Sequence, residues 1–358
     1  MKKKILIIVA VIFSFFILSF IGLLIFYKSS LGPTGKATST VEFSVSQGST
    51  TKDIIDNLYE DGLIKNKYTG YIFIKTHKNY VLQAGNYSLN KGMSIKEILD
   101  YISSGKVIDD SISVTFIEGK RITNYAKVIN EKFGYSEKEV LDKLADKEYL
   151  QKLIDKYWFL TNDILNDKLY YALEGYLYPD TYQFKKDATI EEIVEKMLNE
   201  TKGVLDEHKS EFESSKYSVH QILTMASIVE LEGINSSDRE GVAGVFYNRL
   251  NSGMILGSDV TTYYGARVEM SERDLWQKEI DQVNDYNTRV PAMAGKLPVG
   301  PICSPSKESI LGALEPQKHD YLYFVADKNG KTYFSKNYNE HLQIINKLKK
   351  EGLWYTYK

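Results

Sequence analysis

Three patterns of apolar and polar positions follow one another along the chain. From Ile5 to Tyr27 there is no charged residue. As one helix that run spans roughly 35 Å, slightly more than a bilayer's hydrocarbon core requires. It predicts a transmembrane helix over 5–27. Lys2, Lys3 and Lys4 lie in a tip at 1–4, which the positive-inside bias places in the cytoplasm, with everything beyond the helix on the far side. A cleaved signal peptide is the alternative, but its apolar stretch would be unusually long and no small-x-small site precedes Ser29. The small, polar, Gly/Pro-containing stretch "KSSLGPTGKATST" then reads as a linker over 28–40.

The second pattern is a repeat: a short alternating strand, a Gly turn, a Ser/Thr helix start and an amphipathic helix. "VEFSVSQGSTTKDIIDNLYEDGLI" and "YSLNKGMSIKEILDYISSGKV" are clear copies, and "VTFIEGKRITNYAKVINEKFG" is a weaker third. Ile54, Ile55 and Leu58 form the inward stripe of the first copy, and Ile95, Ile98, Leu99 and Ile102 that of the second. These faces predict core and carry no ligand information. The alternation resembles LysM-type modules, which implies a small α+β subdomain over 41–108 with glycan binding as a candidate role. From Asp109 to Lys168 the chain is rich in lysine and aspartate at helical spacing, and a connecting helical region is expected.

From 169 to 358 the pattern is aromatic-rich and broken by turns, beginning with "YALEGYLYPDTYQF". Ser218 and Gln221 make a capping box, with Tyr217 and Ile222 as a staple, so a helix is expected from Val219 to about Glu232 with Gly233 as its stop. Ile222, Met225, Ala226 and Val229 form one stripe, flanked by Leu223 and Ile228, so little of this helix faces water. A second buried helix is expected after a capping box at Ser237 and Glu240, with Val242, Val245, Phe246 and Leu250 inward and Gly253 as its end. Gly241 and Gly244 inside it each cost roughly 1 kcal/mol relative to alanine. Close helix packing is the expected reason, approach of a sugar the alternative. Alternating aromatics around Asn329-Gly330 predict a hairpin, and Ile344, Ile345 and Leu348 the inner face of a last helix.

Composition narrows the chemistry. A net charge of −2 over 358 residues gives no electrostatic reason for a nucleic-acid partner. Cys303 is the single cysteine, so no internal disulfide is available; as a nucleophile it lacks a base partner in its Pro-rich loop. His77, His208, His220, His319 and His341 show no metal-ligand spacing, and neither a P-loop nor a G-x-S-x-G elbow is present. No metal or cofactor is expected, which leaves carboxylates and amides.

Two glutamates end the first buried helix in "TMASIVELEG". At ~100° per residue, Glu230 and Glu232 project roughly 200° apart and do not share one helix face. Both sit in the last turn, where the macrodipole disfavours an anion and apolar neighbours add desolvation, so either is expected to hold its proton to higher pH. A general acid at a glycosidic oxygen needs that property. The alternative is a buried glutamate satisfied by an arginine or a backbone amide.

"ASIVELEG", "GVAGVFYNRL", "GMILGSDVTTYYG", "DYNT", "LPVGPICSP" and "DYLYFVADKNGKTYFS", in this order after an N-terminal apolar helix, resemble the endolytic murein transglycosylases of the MltG/YceG-like family. The likeness runs from Val41 onward and is strongest from Glu174 to His341. It implies an α+β protein: a single N-terminal transmembrane helix, a small LysM-like α+β subdomain and a larger mixed α+β catalytic domain at 169–358. It also implies Glu230 as catalytic acid and base; the family frequently has a further glutamate two residues on, matched by Glu232, and because helical geometry turns that residue elsewhere a structural or pKa-setting role is expected for it. Ser258, Asp259, Tyr286, Asn287 and Thr288, with Asn248 and Glu174, are the expected substrate contacts. For Asn287 an Asx-turn role stands as the alternative, and for Asp259 a helix cap. Tyr247, Tyr263 and Tyr264 are candidates to stack on sugars or to pack. Ile255, Gly257 and Val260 depart from the family's "GMPLQSDP", and Ser304 and Ser306 from its "ICNPG".

The implied activity is cleavage of nascent peptidoglycan strands between N-acetylmuramic acid and N-acetylglucosamine with 1,6-anhydro ring formation, terminating strand growth at a bacterial cell membrane. Peptidoglycan synthases are candidate partners. A muramidase, in which Asp259 or another carboxylate activates water, and a non-catalytic glycan-binding scaffold are the rivals.

Overall fold

The computed structural model describes residues 2–38, 40–77, 80–106, 111–232 and 235–354, the side chains of 2–5 and of Ser236 excepted. The boundary at Asp109 and the stop at Gly233 lie outside the described residues. The chain divides into two compact units, 1–110 and 111–358.

In the first unit, helix α1 (Lys2–Ser30) carries the apolar run, and its stretch from Leu6 is long and apolar enough to cross a bilayer, with its apolar residues from Leu6 to Phe26 exposed. Residues 31–35 are docked and do not form a free spacer. Gly35 N donates to Lys91 O at 2.7 Å, Ile95 N to Leu31 O at 3.0 Å, and Thr34 Oγ1 to Gly62 O at 2.8 Å. These bonds seat the segment on the unit, because the turn-forming composition also leaves backbone groups free to pair with it. Strand β1 (Thr40–Val45) precedes helices α2 (Thr51–Glu60) and α3 (Lys67–Thr76), and β2 (Gly85–Asn90) precedes α4 (Ile95–Ser103). The strands pair antiparallel, Phe43 opposite Tyr87. Full capping boxes, Thr50 with Asp53 and Ser94 with Glu97, start α2 and α4. The apolar stripes of both helices close over Phe43, Tyr87 and Leu89.

The second unit repeats that plan. Strand β3 (Ser111–Thr115) leads to α5 (Ile122–Phe133) and pairs antiparallel with β4 (Thr181–Lys185), Val114 opposite Tyr182. After β4 comes α8 (Ile190–Asp206), capped by the box of Thr189 and Glu192. Residues 181–206 are thus a fourth strand–turn–helix copy, unread in the sequence although its capping box is plain there. Between them, α6 (Glu137–Ala145), α7 (Lys147–Lys156) and a 3-10 turn at Asn162–Leu165 do more than connect. Val140, Leu144, Leu150, Leu153 and Ile164 share one core with Ile222, Met225 and Val229.

Short α9 (Lys209–Ser214) precedes α10 (Val219–Glu232), whose bounds match the sequence pattern. Ser218 N donates to Gln221 Oε1 at 3.0 Å and Gln221 N to Ser218 Oγ at 3.3 Å, which forms the expected box. Every residue from Ile222 to Glu230 is buried. Tyr217 stacks on Tyr247 at 4.7 Å. Helix α11 (Arg239–Asn251) departs from expectation at its start: Asp238 is the N-cap, and Ser237, drawn into a 3-10 turn, bonds Asp238 instead of capping Glu240. A Cβ on Gly241 would meet Phe334 Cζ at 2.7 Å, and one on Gly244 would meet His319 Nε2 at 2.7 Å. The close neighbour is therefore the 317–319 loop and a strand residue, not a packed helix.

Helices α12 (Asp259–Gly265), α13 (Gln277–Ile280) and α14 (Lys307–Leu314) come next, and α11, α12 and α14 pack around α10. The expected hairpin forms between β5 (Tyr323–Ala326) and β6 (Thr332–Ser335). Its connection is longer than a two-residue Asn-Gly turn, because Asp327 Oδ1 accepts from both Asn329 N and Lys331 N. Helix α15 (Tyr338–Lys350) closes the unit with Leu348 inward and Ile344 and Ile345 half-buried.

Candidate active site

Segment 301–306 runs beside α10 in register with it. Ile302 N donates to Ser227 Oγ at 3.0 Å and Cys303 Sγ to Ser227 O at 3.3 Å, and one turn on Ser306 reaches Glu230. Gly175 permits this: its φ is +80°, and a Cβ there would collide with Pro301. Cys303 is fully buried, and burial pushes its thiol well above the usual range, which removes it as a nucleophile.

Glu230 is nearly fully buried but not in an apolar pocket. Ser306 N and Ser306 Oγ both donate to Oε2, at 2.9 and 2.6 Å, and Arg239 Nη2 donates to Oε1 at 3.0 Å. The apolar surroundings expected from the helix's own stripe are thus corrected by two other segments, which bring a cation and two donors. In this state Glu230 matches the alternative of a glutamate satisfied by an arginine and a backbone amide.

Glu232 points into a different cluster, as helical geometry requires. Ser258 Oγ donates to Glu232 Oε1 at 2.6 Å. Burial pushes the Glu232 carboxyl up, and Asp259 adds to this; the Ser258 bond and the charges of Arg249 and Arg289 act the other way. The proton-holding carboxyl expected at the end of α10 is therefore realised here.

Ser258 caps α12 by position, and its N–H bonds Thr288 Oγ1 at 3.2 Å. Thr288 also bonds Thr261 Oγ1, 2.8 Å away. Asn287 uses its whole side chain: Nδ2 donates to Ile280 O and Gln282 O, and Oδ1 accepts from Thr262 Oγ1 and Arg289 N. The bond from Arg289 N to Asn287 Oδ1, 3.1 Å long, is the Asx turn named as the alternative for Asn287, and Asn284 makes another, its Oδ1 accepting from the N–H groups of Tyr286 and Asn287. Tyr286 packs between Tyr170 and Tyr264 at 4.7 and 4.8 Å. Ser258, Tyr286, Asn287 and Thr288 are all buried, so in this conformation they build the wall behind the site instead of facing solvent. Asp259, by contrast, is exposed and ion-paired with Arg289.

Two other expected contacts are structural links. Asn248 Nδ2 donates to His319 O at 2.9 Å and Tyr321 O at 3.0 Å, which ties α11 to the hairpin. Glu174 is buried, accepting from Ile122 N at 2.9 Å and Tyr264 OH at 3.0 Å. Burial raises its carboxyl to about 7, against the opposing effects of those two bonds and of Arg121. Tyr264 and Tyr247 are buried, while Tyr263 is half-buried.

A cavity of about 810 Å³ opens at the other end of α10, walled by Lys216, Ser218, His220, Gln221 and Lys296 among others, and neither Glu230 nor Glu232 lines it. Among the described residues no cluster of His, Cys, Asp and Glu is arranged to hold a metal.

The YceG-like family matches residues 43–347. The chain belongs to that family. It is 36% identical to the endolytic murein transglycosylase of Bacillus subtilis (strain 168) over 323 residues, 89% of this chain and 88% of that protein. It is 32% identical to the endolytic murein transglycosylase of Streptococcus pneumoniae serotype 2 (strain D39 / NCTC 7466) over 84% of this chain, and there it spans only 57% of the relative. A crystal structure of a yceG-like protein from Listeria monocytogenes, 34% identical, matches with a TM-score of 0.61 over 86% of this chain and 99% of that one.

Arg239 is the residue of this YceG-like site that sequence reasoning missed. Its signal was present: an arginine at the first position of a helix faces the positive end of the macrodipole and calls for an anionic partner. Ser306 stood out only as a departure from the family pattern, with nothing local to connect it to Glu230.

Proposed function

We propose that this YceG-like protein is an endolytic lytic transglycosylase that cuts nascent peptidoglycan strands at the bond between N-acetylmuramic acid and N-acetylglucosamine and so ends their growth. Glu230 gives its proton to the linking oxygen. The muramic C6 hydroxyl attacks C1, its proton passes to the Glu230 carboxylate, and a 1,6-anhydro ring closes without water. A single carboxyl suffices, in contrast to the two-carboxylate glycosidases. The observation that carries this reading is the placement of Glu230 at the end of a buried helix, with both oxygens held by fixed donors from α11 and the 301–306 segment, in a chain whose relatives are named endolytic murein transglycosylases. Preorganised donors of this kind steady charge as it moves in the transition state.

The apolar helix α1 serves as an uncleaved anchor with its lysines in the cytoplasm, so that the 111–358 unit, which contains the 169–358 region, works on new strands at the outer face of the membrane. In the LysM-like reading of 41–108, the paired strand–helix copies hold glycan while the larger domain cuts. Peptidoglycan synthases, which make the substrate, are the fitting partners. Exposed Asp259 favours muramidase-type hydrolysis as the second reading, since a hydrolase needs a carboxylate that reaches water.

Digestion of uncross-linked glycan by the full-length protein separates these readings by product mass. Anhydro ends, one water lighter than reducing ends, are expected from wild type, with a loss of about 100-fold or more in Glu230→Gln. Reducing ends alone establish the hydrolase, and unchanged cleavage by Glu230→Gln removes Glu230 from the acid role.

A further inference from the structure

Both oxygens of Glu230 are occupied by donors. Three donors meet it: Arg239 Nη2 on Oε1, and the N–H and Oγ–H of Ser306 on Oε2. Arg239 also donates through Nη1 to Ser306 Oγ, so the guanidinium and the hydroxyl are locked to each other as well as to the carboxylate. Side-chain exposures of 14% for Arg239 and 5% for Glu230 keep this ion pair largely out of solvent screening. The Arg239 Nε is buried with no hydrogen-bond partner among the described residues. The guanidinium is therefore placed for its contact with Glu230 and not to satisfy all of its own donors.

Other charged and titratable groups around Glu230 are sparse. On the α14 side Glu308, itself exposed, lies 3.9 Å from Arg239 Nη1. Cys303 in the flanking segment is neutral, its thiol pushed well up by burial. From the loop after β3, a Cβ on Gly119 would approach Glu230 Cγ to 3.8 Å, with Glu118 and Lys120 on either side of it exposed to solvent. Arg239 is thus the one cation bonded to Glu230 among the described residues.

Resting on the acid role proposed for Glu230, we propose that Arg239, assisted by Ser306, is a positioning residue for the reaction: it stabilises the carboxylate left when Glu230 gives up its proton and aims that carboxylate to take the C6 hydroxyl proton. Removing the cation leaves the developing carboxylate with hydrogen bonds alone, so the transition state loses stabilisation that the bound substrate does not need.

The test is release of 1,6-anhydro ends from uncross-linked glycan by full-length wild type, Arg239→Gln, Arg239→Lys and Glu230→Gln, with kcat and KM separated. In Arg239→Gln we expect kcat to fall at least tenfold and KM to stay within about twofold. Arg239→Lys recovers most of kcat, since the positive charge beside the carboxylate is what the step uses. An unchanged kcat, a loss that appears in KM alone, or a lysine variant that behaves like glutamine, overturns the inference while Glu230→Gln remains inactive. Cleavage by Glu230→Gln overturns the acid role itself. If Arg239→Gln does not fold, Ser306→Ala carries the test: loss of one donor to the same carboxylate lowers kcat by a smaller factor at unchanged KM, and an unchanged kcat there is decisive against the proposal.

Discussion

Replacing Glu174 by glutamine tests the electrostatics of the larger unit most directly. This carboxyl is buried, accepts from Ile122 N and Tyr264 OH, and is raised by burial from an ordinary value of 4.5 to about 7. An acid whose folded pKa lies above its unfolded one binds more protons in the native state between the two values. Its favourable contribution is therefore complete below about pH 4.5 and is lost as pH rises through about 7. A gap of 2.5 units corresponds to about 3 kcal/mol, or roughly 6 to 12 °C in melting temperature for a unit of this size. Glutamine stays neutral, can accept from Ile122 N through its oxygen and can donate to the Tyr264 hydroxyl, so the local links persist. Trp158, Trp276 and Trp354 all lie in the second unit, and their fluorescence reports its unfolding without interference from the first. Melting of full-length wild type and Glu174→Gln in detergent from pH 4 to 9 is expected to show wild type losing stability relative to glutamine between about pH 4.5 and 7, with a constant gap beyond. Parallel curves, or a relative gain by wild type as pH rises, would refute the reasoning.

The same melting scan distinguishes two further expectations. Glu232 is also held up by burial, so Glu232→Gln should gain stability relative to wild type as pH rises through the carboxyl's ionisation, whereas Glu232→Leu strands the buried Ser258 hydroxyl and should cost about 1–3 kcal/mol; equal effects of the two substitutions contradict this. Among glycines, Gly244→Ala drives a Cβ to 2.5 Å from Gln317 O and should destabilise by about 1–3 kcal/mol or more, while Gly203→Ala, an exposed α8 position with nothing within 4 Å, should stabilise by roughly 1 kcal/mol. A stabilising Gly244→Ala would show that the loop at 317–319 yields.

Local signals were legible and long-range ones were not. The bounds of α10 could be read because its capping box and apolar periodicity lie within fifteen residues, and the separation of Glu230 from Glu232 follows from one helix's geometry. The surroundings of Glu230 could not, since its partners come from 9 and 76 residues away and a helix's own stripe says nothing of what another segment carries to it. The "YNT" residues were legible as a motif but not in orientation: Tyr286, Asn287 and Thr288 spend polar atoms on Tyr170, on the end of α13 and on α12. The stretch after α1 shows the limit of composition, for glycine and proline mark a turn without saying whether the turn is docked.

The wide spacing of the Glu230 partners also sets an order of events. A chain is made from its N-terminus, so α1 and the first unit exist before α10, and α10 exists before Ser306. A nascent chain that has reached Glu230 still lacks the hydroxyl and amide that hold Oε2. Truncated products ending before residue 306 therefore carry the glutamate without its setting, and the cluster around it is complete only after nearly all of the polypeptide has been synthesised.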